Sequence, residues 1–293
     1  MMKQKIYLFL TVCLGIFSCT EVNTVIEPGD KPVIEAFLAP GQKVTLKIFT
    51  ELPYSFVEED NVSEKITGLD ILISRDDGSS FNLIDKGAGI YESNENLGAI
   101  GTTYSMSFQY NGREVSASTT IPPKPESFEM NTAEIERIER DFSGGFVPGQ
   151  GGGPGGGPGG GFQEDRTPLE LIWSNTDGVY HFVAAQYINE VQDPVVQFPV
   201  NESGFTRPPR TFNNEPVLTN TSNLQPQQFE YFGEYDIILY RLNPDYAALY
   251  ENNNTSTQNV TTPVSTISNG LGIFTGVNAD TLRLSVTKSS LQL

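Results

Sequence analysis

The chain has 293 residues, of which 38% are hydrophobic and 11% aromatic, enough to bury the cores of two modest domains or one large one. Its formal net charge at pH 7 is −18. This charge repels phosphate backbones and anionic lipid headgroups, so it argues against nucleic-acid binding and excludes a polybasic membrane contact.

The first element along the chain is a short apolar segment, residues 8–19, with the sequence LFLTVCLGIFSC. It follows Lys3 and Lys5 and is too short to span a bilayer comfortably, so it predicts a secretory signal rather than a transmembrane helix. Ser18 directly precedes Cys19, and an apolar residue stands three places before the cysteine. This order is typical of the lipobox that a bacterial lipoprotein signal peptidase cleaves.

The cysteine count favours lipidation. The chain has two cysteines, and Cys13 lies inside the predicted signal, so the mature chain would keep Cys19 alone. A lone exported thiol cannot form an internal disulfide, and acylation of its sulfur accounts for it. We predict a signal peptide at residues 1–18, lipidation of Cys19 and a tether at residues 19–31. Cleavage by an ordinary signal peptidase is the alternative.

Residues 32–123 alternate apolar and polar side chains between turn residues, which is the pattern of half-buried strands. Asn111 and Gly112 stand between two alternating runs and predict a type I′ hairpin, because both turn positions need positive φ. A second tight turn is predicted at Gly78. Five to seven strands should form an antiparallel sandwich of immunoglobulin-like or transthyretin-like type.

Residues 124–166 are predicted to link two domains. In residues 131–141, Ile135 and Ile138 are too few to define a buried face, so a weak helix and a long strand arm both stay open. The Gly/Pro run at residues 144–162 cannot offset the entropy of ordering and predicts a disordered segment. It lacks the Lys-Ser or Lys-Thr ending of a phosphate-binding loop.

A second β-rich domain is predicted over residues 167–293. It contains strand-like runs dense in aromatic residues, and long loops across residues 191–227, where Pro, Asn, Gln and Thr are frequent. Asn243 and Pro244 predict the start of a short helix near residues 244–252, with Asn243 as its cap. The predicted fold class is therefore all-β, mainly β with one short helix.

Four stretches carry a resemblance to a known family. They are KPVIEAFLAPGQKVTLKI, the hairpin TTYSMSFQYNGREVSASTTIP, WSNTDGVY at residues 173–180, and SNGLGIFTG at residues 268–276, where Thr275 is one residue extra. In their order and spacing they resemble a domain-of-unknown-function family of Bacteroidota outer-membrane lipoproteins, often encoded beside a TonB-dependent receptor. The resemblance implies an outer-membrane protein near a transporter, with no established catalytic residues. Glu21, an acidic residue after the lipidated cysteine, favours the cell surface over the periplasmic face.

Groups suited to catalysis or metal binding are few. His181 is the only histidine, and strand alternation places it opposite Tyr180 and Phe182, on a polar or loop-covered face. No G-x-S-x-G sequence accompanies it to suggest a Ser-His-acid triad. One histidine, with no thiol left after acylation, predicts no zinc site.

Neighbouring carboxylates offer one alternative chemistry. Glu58 with Glu59, and Asp76 with Asp77, could serve glycoside hydrolysis or bind calcium. Acidic residues in the turns of so anionic a protein are more often solvated. We therefore predict no enzyme, no cofactor and no metal.

The candidate ligand-binding residues are Phe205, Arg207, Arg210 and Phe212, which lie in the Pro- and Asn-rich stretch. Recognition surfaces often combine aromatic side chains with arginine on loops held by a rigid scaffold. Filling of the second core is the alternative for the aromatic rings.

These observations predict a non-enzymatic, lipid-anchored outer-membrane protein. It would present a ligand to, or stabilise, a TonB-dependent nutrient-uptake complex, with the receptor and membrane lipid as partners. The alternatives are a surface glycan-acting hydrolase that uses paired carboxylates and an adhesin-like or structural envelope module.

Overall fold

The computed structural model describes residues 30–51, 63–141, 167–197, 211–251 and 265–289. In these ranges the chain is almost entirely β, with one α-helix, α1 (Pro244–Glu251). The strands are β1 (Pro32–Leu38), β2 (Lys43–Thr50), β3 (Leu72–Arg75), β4 (Ser80–Asn82), β5 (Ile84–Gly87), β6 (Ile90–Asn96), β7 (Thr103–Tyr110), β8 (Arg113–Thr120), β9 (Glu126–Met130), β10 (Glu134–Arg137), β11 (Arg140–Asp141), β12 (Leu169–Ser174), β13 (His181–Tyr187), β14 (Asp193–Pro194), β15 (Val196–Gln197), β16 (Phe212–Asn213), β17 (Thr221–Leu224), β18 (Tyr231–Leu242) and β19 (Leu271–Lys288). The predicted all-β class with one short helix is confirmed.

The first lobe is a sandwich of two sheets. One sheet has the order β5-β6-β2-β1 and is extended by the start of β19, and the other has the order β4-β3-β7-β8. Alternate side chains of β1 and β7 point inward to a common apolar core, in which Tyr91 and Tyr104 are the largest fully buried side chains. The described part of residues 32–123 contains eight strands rather than the five to seven predicted.

The hairpin between β7 and β8 follows the prediction. Tyr110 pairs with Arg113, and the two residues between them have positive φ, 49° at Asn111 and 74° at Gly112. Both values fall in the left-handed region that a type I′ turn needs.

The second lobe also contains two sheets. In the larger sheet, strands β16, β13 and β18 are followed by the end of β19 and then by β10, and the smaller sheet has the order β17-β12-β9. Its core includes Trp173, Phe229 and Tyr235. Three strands, β9, β10 and β11, come from residues 124–166. Because β10 and β11 lie within residues 131–141, the strand-arm alternative describes this part of the predicted linker. The predicted long loops at residues 191–227 contain the short strands β14 to β17. The Gly/Pro run lies outside the described residues.

Strand β19 joins the two lobes. Its first residues, from Leu271 to Gly276, pair parallel with β1, and Val277 onward pairs antiparallel with β18. An 18-residue strand extends about 60 Å. The two predicted domains therefore share one continuous sheet, and a C-terminal segment completes the N-terminal sandwich.

Arg137 is a buried cation that fixes a loop of the second lobe. Its side chain is 5% exposed, and Nη1 donates hydrogen bonds to the carbonyl oxygens of Pro226 (2.7 Å) and Phe229 (2.8 Å). The Arg137→Met variant would leave both buried carbonyls without this donor, and we expect it to lose about 2–4 kcal/mol of unfolding free energy in urea titrations.

The matched control for Arg137 is Arg113→Met. Arg113 is 56% exposed and pairs with Asp30 at 2.9 Å, so its replacement should cost less than about 1 kcal/mol. Equal losses in the two variants would contradict the role of the buried guanidinium.

Candidate functional site

The two lobes meet at a hydrogen-bonded junction around Thr119. Its Oγ1 accepts hydrogen bonds from the backbone N–H of Gly276 (2.8 Å) and from Nδ2 of Asn243 (3.1 Å). Asn243 also donates to the carbonyl oxygen of Thr120 at 2.8 Å. Asn243 does precede α1, as predicted, and its side-chain Nδ2 binds β8 of the first lobe, while its role as the helix cap stays a prediction.

Helix α1 is held on the outer face of the shared sheet. Oδ1 of Asp245 accepts a hydrogen bond from Oγ1 of the fully buried Thr275 (3.1 Å) and another from the N–H of Tyr246 (3.0 Å). Burial raises the pKa of the Asp245 carboxyl, and these hydrogen bonds oppose that shift. The first turn of α1 is therefore fixed where the lobes join.

A row of four aromatic rings crosses the junction on this outer face, and we call it the aromatic ridge. Phe37 of β1 contacts Tyr246 of α1 edge-to-face, with ring centroids 5.8 Å apart. Tyr246 contacts Phe182 of β13 at 6.3 Å, and Phe182 stacks on Tyr240 of β18 at 4.7 Å. Phe37 is 42% exposed. The ridge thus presents aromatic surface contributed by both lobes.

Alternation explains why these side chains point outward. Phe37 lies between Ala36 and Leu38, both of which point into the first core. Phe182 and Tyr240 likewise alternate with core residues of β13 and β18. A phenylalanine on the solvent face of a half-buried strand was the available signal for Phe37. The position of Tyr246 beside it depends on the tertiary fold.

Aromatic side chains with apolar bodies and polar tips are enriched at recognition surfaces. The ridge offers four rings close together, of which those of Tyr246 and Tyr240 have polar tips, with the Asp245 carboxylate fixed beside them. This arrangement suits binding of a partner surface.

Of the predicted ligand-binding and lipidation residues, the structure describes only Phe212. Cys19, Phe205, Arg207 and Arg210 lie outside the described residues, so their roles stay predictions. The ring of Phe212, in β16, is half-buried and packs edge-to-face on Phe229 with centroids 5.2 Å apart.

The aromatic residues that directly follow the Pro- and Asn-rich stretch fill the core of the second lobe. Phe229 is fully buried, and Tyr231 and Phe232 are each 6% exposed. The hydroxyl of Tyr235 donates to the carbonyl oxygen of Tyr231 at 3.0 Å, and burial raises the pKa of Tyr235 far above its usual value. For these rings, core filling is the role that the fold gives them.

The sequence context predicts a polar or loop-covered face for His181, and the structure instead buries its side chain against Trp173. The side chain is completely buried and its Nδ1 lies 3.1 Å from the carbonyl oxygen of Val179. Its neighbour Phe182 takes the outer side of β13, which directs His181 inward against Trp173. The alternation was correct, but the face was wrong.

Of the neighbouring acids considered for catalysis or calcium binding, Asp76 and Asp77 stabilise turns, and Glu58 and Glu59 lie outside the described residues. Asp76 accepts a hydrogen bond from the N–H of Thr103 (3.1 Å), and Asp77 accepts one from the N–H of Ser79 (2.8 Å). Hydrogen bonding to Ser79 lowers the pKa of Asp77. Among the described residues, no three His, Cys, Asp or Glu side chains group as metal ligands. In the same ranges, no helix is long and apolar enough to cross a membrane.

Comparisons with known proteins give distant structural similarity alone. No family model matches the chain, and no curated protein matches it. A two-domain fibronectin type-III segment of chicken tenascin is 10% identical, with a TM-score of 0.23, and the match covers 87% of this chain and 99% of that one. The chicken CNTN1 FN1–FN3 domains are 9% identical, with a TM-score of 0.24, over 74% of this chain and 60% of theirs. The Yersinia pseudotuberculosis adhesin InvE is 12% identical, with a TM-score of 0.20, over 87% of this chain and 58% of its own. The chain thus spans about three-fifths of the length of the last two.

Proposed function

We propose that this chain is a non-enzymatic outer-membrane lipoprotein, anchored through Cys19, that binds and supports a TonB-dependent receptor in nutrient uptake. The observation that carries the proposal is the basic start and short apolar segment that ends in Ser18-Cys19. A multiply acylated cysteine holds a protein at a membrane because each buried methylene contributes roughly 0.8 kcal/mol. The receptor as partner rests on the family resemblance.

The scaffold supports a role in binding. Because β19 belongs to both lobes, and Asn243 ties α1 to the first lobe, the ridge residues are held in a fixed arrangement. A preorganised surface loses little conformational entropy when a partner docks. We therefore propose that the aromatic ridge is the surface that binds the receptor. Phe205, Arg207 and Arg210 stay the proposed ligand-binding residues.

Affinity purification from detergent-solubilised outer membranes tests this proposal. The tagged wild-type protein should bring a TonB-dependent receptor with it. Replacing the exposed ring in Phe37→Ser should reduce receptor recovery at least about tenfold, a loss typical of a contact at the centre of an interface.

The control for this experiment is Ile172→Ser. Ile172 lies on the outer face of β12 and is 47% exposed, close to the 42% of Phe37, but it is not part of the ridge. Its replacement should leave recovery unchanged. Recovery of the wild-type protein without any receptor would contradict the proposed partner. Equal losses of receptor recovery in Phe37→Ser and Ile172→Ser would contradict the aromatic ridge as the binding surface.

An adhesin-like or structural envelope module is the second candidate. The observation that favours it is the continuous sheet through both lobes, since one shared strand makes a stiff unit able to carry load between its ends. Membrane attachment through Cys19 with no co-purified receptor is the result that would select this candidate.

A further inference from the structure

Two aromatic nitrogen atoms face the interior of the second lobe without a hydrogen-bond partner among the described residues. They are Nε1 of Trp173 and Nε2 of His181. Both side chains are buried, at 4% and 0% exposure, and their ring centroids are 5.7 Å apart. Trp173 is also the only tryptophan in the chain. The only histidine and the only tryptophan therefore form one buried contact.

The Val179 hydrogen bond fixes the tautomer of neutral His181. Nδ1 lies 3.1 Å from the carbonyl oxygen of Val179, which can only accept, so Nδ1 carries the proton and donates. In the neutral ring, Nε2 then holds a lone pair and has no hydrogen-bond partner among the described residues. On one side, the N–H of His181 donates to the carbonyl oxygen of Val217 (2.9 Å) and the N–H of Val217 donates to the carbonyl oxygen of His181 (2.8 Å). On the other side, His181 pairs with Arg241 of β18. The imidazole cannot turn toward solvent without breaking these strands.

The turn that leads into β13 depends on the same ring. The carbonyl oxygen of Val179 accepts from His181 and also from Nδ2 of Asn175 (3.0 Å), which donates as well to the carbonyl oxygen of Leu218 (2.8 Å). Asp177, in the turn, forms an ion pair with Arg241 of β18. Side-chain hydrogen bonds and an ion pair thus hold the turn at residues 175–179, and the backbone carbonyl oxygen of Tyr180 accepts a hydrogen bond from the N–H of Leu242 in β18 (3.0 Å).

We propose that His181 is a proton-operated latch, which closes the turn at residues 175–179 over Trp173 when neutral and releases it when protonated. A proton on Nε2 would create a second N–H donor at an atom that has no hydrogen-bond acceptor among the described residues. The new charge would face Arg241, and the nearby carboxylate of Asp177 is already paired with that arginine. An unpaired buried charge is costly, and opening the turn lets water solvate it.

The direction of the pH dependence follows from the burial of the ring. Burial is the main cause that lowers the pKa of His181, the charge of Arg241 lowers it further, and the Val179 hydrogen bond and the charge of Asp177 raise it. Below pH 6.5 the released imidazole binds a proton that the closed form resists. The closed form is therefore fully stabilised above pH 6.5 and loses stability as the pH falls below it.

Intrinsic fluorescence of Trp173 tests the latch on the full chain. Between pH 8 and pH 4.5 the emission should change reversibly with the binding of one proton and a midpoint below pH 6.5, while the far-UV circular dichroism stays constant. The His181→Gln variant should show no such transition. Constant emission in the wild type, the same transition in His181→Gln, or simultaneous loss of the circular dichroism would each overturn the latch.

Two variants that retain His181 keep the test decisive if His181→Gln does not fold. Asp177→Asn and Arg241→Gln each remove the ion pair that ties the turn to β18, so the turn should open more easily and the midpoint should rise by about 0.5 pH unit in both. Midpoints that stay at the wild-type value would overturn the opening of this turn as the event that the fluorescence follows.

Discussion

The Gly272→Ala variant should lose about 4 kcal/mol or more of unfolding free energy and fail to accumulate as a folded protein. Gly272 has a φ of 96°, a backbone conformation that residues with a side chain rarely adopt. A Cβ at this position would also press against the carbonyl oxygen of Ile34, its partner in the parallel pairing of β1 and β19. Neither backbone can move away without breaking the ladder that joins the lobes.

Two matched glycines separate the causes of this loss. Gly112 has a φ of 74° but open space around it, so Gly112→Ala should cost only the conformational penalty of about 1–2 kcal/mol. A Cβ at Gly276, where no positive φ is involved, would press against the carbonyl oxygen of Thr120 at the lobe junction. In urea unfolding followed by circular dichroism, the loss of unfolding free energy should be smallest for Gly112→Ala, larger for Gly276→Ala and largest for Gly272→Ala. A Gly272→Ala variant as stable as Gly112→Ala would contradict the close approach of β1 and β19.

Local structure was predictable because its causes are local. Asn111 and Gly112 tolerate positive φ whatever surrounds them, so the hairpin could be recognised from two residues and the alternation on either side. The start of α1 at Pro244 was recognisable for the same reason, since a proline with fixed φ suits the first helical turn.

Long-range pairing was not predictable. Nothing in the residues from Leu271 to Gly276 indicates that β1 is their parallel partner. The aromatic ridge depends on this pairing, because Phe37 and Tyr246 are brought together only when β19 crosses from one lobe to the other. Gly272 and Gly276 can be recognised in the sequence as part of a motif. The reason that glycine is needed there, the close approach of two backbones, is visible only in the fold.

Buried polar residues were misread because periodicity became ambiguous at their positions. In β13, three consecutive residues, Val183 to Ala185, are buried, so the pattern does not reveal which face is the core. His181 was therefore assigned to the wrong face. Arg137 lies among interleaved charges that fit an exposed helix equally well, and its burial depends on carbonyl oxygens far along the chain.

The Cys19→Ala variant should abolish lipidation and membrane attachment. Cys19 is the only thiol that remains after the predicted cleavage, so its loss leaves no other sulfur to acylate. Cells grown with an alkyne-tagged fatty acid should label the wild-type protein and leave the variant at background. After cell fractionation, the wild type should be found with the outer membrane, and the variant should be lost from it.

Cys13→Ala is the matched control, because it removes the other cysteine from the segment that the signal peptidase discards. It should be labelled and localised like the wild type. Labelling that persists in Cys19→Ala would show that the acyl group is elsewhere, and an unlabelled wild type would favour ordinary signal cleavage near Ser18. In either case the ridge could still bind a partner, but the partner would have to reach a protein that diffuses freely. The proposed receptor role depends on the proposed anchor, since two proteins confined to one membrane meet at a far higher effective concentration than two in solution.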